Sequence, residues 1–345
     1  MPKKVLIGMS GGVDSSVAAY LLKKDGYEVT GATMILTDDE AALQNVEAAK
    51  SVCNQLDIPF IVFEMKEAFS ENVIDYFCNE YKCGRTPNPC IQCNKYLKFG
   101  AFLKKAEELG FDYIATGHYA KVVFNEETVK YEMHVSDADK KDQCYFLYNH
   151  TQYTLSKTLF PLGGFNKEKV RAVAEEISLK VANRPESQEI CFISDDDYVR
   201  FIKERENYTP VKGDFKDTLG NTIGTHNGII NYTIGQRKGL GAFGKPMFVM
   251  KIDADKNEII LGEKGMEFDS TLQAVNLNFI SGEAPADEFR CYAKNRYQAK
   301  PALCTVKIEN DTAHIIYDEP VRAITPGQAI VFYDGNILLG GGTVI

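Results

Sequence analysis

Residues 5–17 read Val5-Leu6-Ile7-Gly8-Met9-Ser10-Gly11-Gly12-Val13-Asp14-Ser15-Ser16-Val17. The apolar run Val5-Leu6-Ile7 suits a strand buried on both faces, and Val13 to Lys24 repeats its apolar residues at helical spacing. Between them lies a turn of glycine and serine. Such a turn is built for an anion: glycine lets the backbone come close, the first helical N–H groups are unpaired, and the helix dipole favours negative charge. The turn has neither the lysine of G-x-x-x-x-G-K-[ST] nor the spacing of G-x-G-x-x-G. It is a phosphate loop of another kind.

Working outward, the first ~120 residues alternate strand-like and helical patterns, the rhythm of a parallel sheet. Glu28 to Ile35 reads as a strand, Ala41 to Leu56 as a helix with Cys53 in its apolar face, and Phe60 to Phe63 as a third strand. A helix from Glu67 to Tyr81 precedes the loop Cys83 to Cys90, whose two prolines argue against regular structure there. A helix from Lys95 to Leu109 then leads to the strand Tyr113-Ile114-Ala115-Thr116, which ends at Gly117-His118-Tyr119. From about residue 205 helical patterns nearly vanish. Gly-rich, strand-like pieces take over, and at least five strand candidates follow Gly265. The expectation is an α/β N-terminal domain over 1–204 with a parallel sheet, a small β-rich middle module over 205–265 and a C-terminal β-barrel over 266–345.

The 345 residues carry a formal charge of −9, with 44% hydrophobic and 25% charged content, as in soluble globular chains of two or three domains. No stretch reaches the roughly 18 apolar residues that a spanning helix needs. Met1-Pro2-Lys3-Lys4 runs directly into the first strand with no signal-peptide core, so no membrane association and a cytoplasmic location are expected. The negative charge argues against indiscriminate nucleic-acid binding. An RNA partner would need a local basic face; candidates are Lys82, Arg85, Lys95, Lys98, Lys104 and Lys105, then Arg237 and Lys238, then Lys294, Arg296 and Lys300. Nine cysteines do not form a secreted disulfide scaffold in a chain this long, but Cys90 and Cys93 form a C-x-x-C. In a reducing compartment that pair points to metal or sulfur chemistry.

Further motifs follow the loop in order. They are Gly84-Arg85-Thr86-Pro87-Asn88-Pro89, Cys93-Asn94-Lys95, Lys98-Phe99, Ala115-Thr116-Gly117-His118-Tyr119, Lys141-Asp142-Gln143, Ile190-Cys191-Phe192-Ile193, Gly235-Gln236-Arg237-Lys238-Gly239-Leu240-Gly241 and Thr325-Pro326-Gly327-Gln328. Together with Ser10-Gly11-Gly12-Val13-Asp14-Ser15, which resembles the pyrophosphate loop of N-type ATP pyrophosphatases, they resemble the tRNA-specific 2-thiouridylases, the MnmA/TrmU family, along essentially the whole chain. The resemblance implies a PP-loop domain of the adenine-nucleotide α-hydrolase type. It implies an enzyme that uses ATP with Mg2+ to adenylate O2 of the tRNA wobble uridine and then inserts sulfur, giving 2-thiouridine, AMP and pyrophosphate.

Residue by residue, the resemblance implies ATP binding by Gly8, Met9, Ser10, Gly11, Gly12, Val13, Asp14 and Ser15, with Met34 and Gly117 at the adenosine. It makes Cys93 the nucleophile and Cys191 the persulfide carrier. It places Asn88, Pro89 and Cys90 by the target base, and Lys141, Asp142, Gln143, Arg296, Tyr297, His118 and Gln328 at the tRNA. The implied partners are tRNAs for Lys, Glu and Gln and a cysteine desulfurase or sulfur-relay protein. The chemistry of the residues is compatible: two cysteines at one ATP site suffice to present a sulfane sulfur and release it. From the residues alone Cys191, in an apolar run, reads as a core cysteine; the family role comes from the resemblance. Cys90 departs from the pattern, because many members carry Asp there, and a thiol is a poor general acid or base in place of a carboxylate. A [4Fe–4S] cluster on Cys90, Cys93 and Cys191 is the alternative to a persulfide pair, and C-x-x-C also suits zinc or a redox disulfide. Cys78, Cys83, Cys144, Cys291 and Cys304 read as structural.

Overall fold

The computed structural model describes residues 1–138, 141–181 and 190–345. Its first sheet is parallel, with strands β1 (Lys4–Gly8), β2 (Glu28–Ile35), β3 (Phe60–Glu64) and β4 (Tyr113–Ala115), and it is joined at one edge by a two-residue strand described below. Val5, Leu6 and Ile7 are fully buried, which is why β1 reads as an unbroken apolar run rather than an alternating one. Helices α1 (Val13–Lys24) and α2 (Glu40–Gln55) cover one face, and Cys53 of α2 lies in that core as expected.

The other face is covered by two long helices that each change pitch. One runs from α3 (Lys66–Phe69) through a π-helical turn at Ser70–Ile74 into α4 (Asp75–Lys82). The next runs from α5 (Pro89–Gln92) through a π-helical stretch at Cys93–Ala101 into α6 (Phe102–Glu108). This second helix begins earlier than the prolines imply. Pro89 occupies the first helical position, where its missing N–H costs nothing, and the Asn88 side chain caps the turn by accepting from Ile91 N. Cys90 and Cys93 therefore lie one turn apart at the start of a helix, and only Cys83 to Asn88 form the loop.

After β4 the hairpin β5 (Lys121–Asn125) and β6 (Lys130–His134) leaves the first sheet. A short helix, α7 (Gln152–Ser156), returns the chain to β7 (Thr158–Leu159), which pairs with β4 and completes the order β3-β2-β1-β4-β7. Then α8 (Lys167–Glu176) packs on α1, and α9 (Tyr198–Glu206) leads out of the domain.

The middle module is a four-stranded sheet, with β8 (Gly213–Lys216), β9 (Thr222–His226), β10 (Met247–Asp253) and β11 (Glu258–Glu263) in the order β10-β11-β8-β9. Six antiparallel strands make the C-terminal barrel. These are β12 (Phe268–Phe279), β13 (Glu288–Lys294), β14 (Ala302–Glu309), β15 (Thr312–Arg322), β16 (Ala329–Asp334) and β17 (Ile337–Val344). The long strand β12 bonds β15 with its first half and β17 with its second, which closes the barrel and leaves no free edge between them. The β5–β6 hairpin adds to this barrel through β6 and β17, so a piece of the N-terminal segment extends the C-terminal sheet. Cys291 and Cys304 face each other across β13 and β14 in the barrel core, and Cys83 is exposed.

Candidate active site

The strand order reverses direction between β1 and β4, and ligands of open α/β sheets bind in the crevice beyond the carboxyl ends of the strands at that point. The glycine-serine loop leaves β1 there. Gly11 takes φ +72°, and Gly12 is the N-cap of α1. Ser15 Oγ accepts from Ser10 N at 3.2 Å and lies 3.3 Å from Ser10 Oγ, while Ser16 Oγ donates to Gly12 O at 2.7 Å. The hydroxyls thus hold the loop open at the helix start. Met9 differs from its loop neighbours. Its N–H bonds Ala32 O, its carbonyl accepts from Thr33 Oγ1 and its side chain is buried, so it anchors the loop to β2. Met34, the last residue but one of β2, is half-buried. A methyl group on Gly117, just after β4, would stand 2.7 Å from Ser15 N, so only glycine allows the two loops to approach this closely.

The Asp14 carboxylate has two partners far along the chain. Lys167 Nζ reaches its carboxylate oxygens at 2.8 and 3.0 Å, and Tyr119 Oη donates at 2.7 Å. As the carboxylate at the mouth of the loop, Asp14 with a nucleotide's phosphates matches the donor set Mg2+ takes, one or two carboxylates plus phosphate oxygens.

Beyond β4, Thr116, His118 and Lys98 form a short chain. Lys98 Nζ lies 3.4 Å from His118 Nε2, and Thr116 Oγ1 lies 2.7 Å from Nδ1. An ammonium can only donate, so Nε2 is the acceptor and Nδ1 carries the proton. Burial, then the Lys98 charge, then His150 hold the His118 pKa well below that of a free histidine, so this ring is neutral.

Lys98 also faces the cysteines. Burial pushes the thiols of Cys90 and Cys93 up and that of Cys191 to about 12, and in each case Lys98 opposes the shift. Cys93 is buried, whereas Cys90 and Cys191 are exposed. Cys93 and Cys90 both disfavour a charge on Cys191, so the three sulfurs share one neighbourhood. A helix start favours a thiolate, but at Cys93 burial outweighs it, and Lys95 sits over the Tyr96 ring. Among the described residues no three Cys, His, Asp or Glu side chains converge as a site for a metal ion.

The residues expected at the tRNA fall into two groups, and both brace the site. Asp142 accepts from Ser136 N and Cys144 N, and burial raises its pKa. Gln143 bonds Tyr119 twice, accepting from its N–H through Oε1 and donating to its carbonyl through the backbone. Lys141 lies just before them, half-buried. Tyr297 packs on Phe146 at 4.5 Å between ring centres, and Arg296 donates to Arg322 O at 2.6 Å. Gln328 Nε2 donates to Thr86 O at 2.8 Å and Pro87 O at 3.3 Å, and Thr86 N donates to Pro326 O. The barrel thereby grips the loop that presents Asn88, Pro89 and Cys90. Several candidate basic residues are already paired, Lys82 with Glu206 and Arg85 with Glu80.

Residues 3–195 match the family model described as the tRNA methyl transferase HUP domain, 200–263 its PRC-barrel domain, and 269–344 the aminomethyltransferase beta-barrel domain. The tRNA-specific 2-thiouridylase MnmA of Clostridioides difficile is 51% identical over 355 residues, covering 100% of this chain and 98% of that one. This chain belongs to the tRNA-specific 2-thiouridylase family. The MnmA of Acetivibrio thermocellus is 49% identical, with 99% of each chain covered, and that of Clostridium acetobutylicum 50%, with 100% of each. Among solved structures, the U34-tRNA thiolase NcsA from Methanococcus maripaludis with its [4Fe-4S] cluster covers 60% of this chain and 66% of its own at 19% identity. Its TM-score of 0.39 is too low to bear on this 2-thiouridylase site.

Lys167 and Tyr119 are the site residues that sequence reasoning did not find. Asn166-Lys167 carries one local signal: Asn166 caps α8 through Lys169 N, yet a lysine in the first helical turn opposes the helix dipole.

Proposed function

We infer that this protein is an ATP-dependent tRNA 2-thiouridylase of the cytoplasm. The observation that carries the reading is the meeting, at one sheet edge, of an anion loop without a lysine and three cysteines gathered around Lys98. In the first step the uridine O2 attacks the α-phosphorus of ATP and pyrophosphate leaves, so C2 acquires an adenylate leaving group. Gly8 to Ser15 hold the phosphates and Met34 and Gly117 flank the adenosine; Asp14 would hold a Mg2+ ion, which would offset phosphate charge.

In the second step a persulfide on Cys191 attacks C2 through its terminal sulfur, and AMP departs with the former O2. Cys93 thiolate then attacks Cys191 Sγ. A Cys93–Cys191 disulfide forms, the sulfur stays on C2, and the two electrons that reduce sulfane sulfur come from the two thiols. An external dithiol reopens the pair. A cysteine desulfurase or relay protein reloads Cys191, and tRNAs for Lys, Glu and Gln are the substrates. The family-model descriptions name methyl transfer, but a phosphate loop beside paired thiols supports adenylation and sulfur insertion. Cys90, lacking a carboxylate, is assigned no acid–base role.

The test is Cys93→Ser with single-turnover assays on protein carrying a Cys191 persulfide, together with iron and sulfide analysis of oxygen-free wild type. The expected result is iron-poor wild type that thiolates, and a variant that binds ATP and tRNA but yields no 2-thiouridine. Undiminished product from Cys93→Ser removes Cys93 from the mechanism. About four irons per chain, lost together with activity in Cys90→Ser, replaces the persulfide pair by a cluster.

A further inference from the structure

The loop Gly8 to Ser16 contains no lysine or arginine, and its one charged residue is the anionic Asp14. A polyanionic nucleotide laid on it meets backbone N–H groups, hydroxyls and a carboxylate of its own sign. Other phosphate loops carry a lysine within the motif for this reason. Here the cation bonded to the loop comes from Lys167, 153 residues beyond Asp14.

Three features set that pair apart from an ordinary ion pair on the surface. The Lys167 side chain is only 16% exposed, against 31% for Asp14, so the ammonium is held low beside the loop rather than waving in solvent. Its helix follows β7, the strand beside β4, so Lys167 rises from the same carboxyl edge of the sheet as the loop and Gly117. It also stands at the first position of α8, where the helix dipole disfavours a cation. Local helix chemistry does not call for lysine there, and such local conflicts concentrate at functional positions.

We propose that Lys167 is a substrate-binding residue, the missing cation of the phosphate loop, which exchanges Asp14 for the β- and γ-phosphate oxygens when ATP binds. The exchange frees the Asp14 carboxylate to face the metal that accompanies the nucleotide, while Tyr119 keeps Asp14 in place through the Oη–Oδ1 bond. A flexible four-carbon stem carrying a point charge suits this transfer, since it needs no fixed fork geometry. The same ammonium then stabilises departing pyrophosphate, the group on which charge grows in the adenylation step. The proposal rests on the ATP-using reading of the site, though not on tRNA or sulfur.

The experiment compares binding of ATP, inorganic pyrophosphate and AMP, each with Mg2+, to full-length wild type, Lys167→Ala and Lys167→Arg by calorimetry. Losing a charge-assisted contact predicts that Lys167→Ala weakens ATP and pyrophosphate roughly 10- to 100-fold, with AMP changed little and Lys167→Arg recovering most of the loss. A purely structural Lys167–Asp14 pair would weaken all three ligands alike, and that result overturns the proposal. Unchanged ATP binding in Lys167→Ala overturns it too. Wild type that binds none of the three defeats the ATP-using reading itself, so the two failures are distinguishable.

Discussion

Around the thiols, charge and burial oppose each other. Cys90, Cys93 and Cys191 are all pushed toward the protonated form by their surroundings, and the Lys98 ammonium is the counterweight common to the three. An acid whose pKa is raised ionises only as pH climbs past that raised value, so the thiolate fraction at Cys93 should keep rising above pH 9. Lys98→Met removes the counterweight and should slow alkylation of Cys93 by iodoacetamide at pH 8 several-fold, whereas Lys98→Arg should keep most of the rate. Labelling quantified by peptide mass spectrometry checks this, and equal rates in all three proteins would separate Lys98 from the cysteines. Much at this scale was legible beforehand. Ser10 to Ser16 and the cysteine motifs are local strings whose chemistry travels with them. The partners of Asp14 were not, because Tyr119 and Lys167 meet it only through the sheet order. The thiol pKa also ran against local reasoning, since a helix start lowers it while the burial that raises it is a property of the packed chain.

Among the elements, the helix from Pro89 to Glu108 and the short helix α7 enclose a buried aromatic cluster. His150 stands just before α7, is 2% exposed, lies 4.2 Å from the Phe99 ring and has its Nδ1 3.0 Å from Thr154 Oγ1. Burial holds its pKa at about 3, and that of His118 is also depressed. Histidines kept neutral in the fold but free to protonate when unfolded stabilise the protein above pH ~6.5, and that contribution is lost as pH falls toward about 3, by at most about 1.4 kcal/mol per unit for each ring. Urea unfolding at pH 7 and pH 5 should show this loss in wild type and a smaller one in His150→Phe; equal losses would show that His150 protonates freely in the fold. The reading of this region from sequence failed at one point for a definite reason. Two prolines argue against regular structure from Cys83 to Cys90, but a proline at the first helical position is compatible with a helix, and the Asn88 cap makes Pro89 a start signal. The π-helical stretch from Cys93 to Ala101 carries no comparable signature in the residues.

For the whole molecule, the C-terminal barrel holds the loop before Cys90 through Gln328 and Pro326 as well as closing on itself. Gln328→Ala removes two hydrogen bonds to the carbonyls of Thr86 and Pro87 while leaving the phosphate loop untouched. ATP binding should stay within about twofold of wild type, and single-turnover thiolation should fall roughly tenfold or more as the Cys90–Cys93 turn loses its register. Loss of both functions together would mean that the barrel supports the fold rather than the loop. The three-part architecture follows from texture changes near residues 205 and 265, since alternating strand and helix patterns give way to strands alone. The transfer of β5 and β6 to the barrel did not follow from the sequence. Their alternation marks a hairpin, but register with β17 depends on a partner more than 200 residues away. No helix among the described residues is long and apolar enough to cross a membrane.

The central claim is that ATP activates the uridine at O2 before sulfur enters. It is tested most directly by supplying tRNA transcript labelled with 18O at O2 of the wobble uridine and measuring the mass of AMP from a single turnover. The account predicts one 18O in AMP for each 2-thiouridine formed and none in pyrophosphate. Label-free AMP alongside full conversion to 2-thiouridine would contradict it.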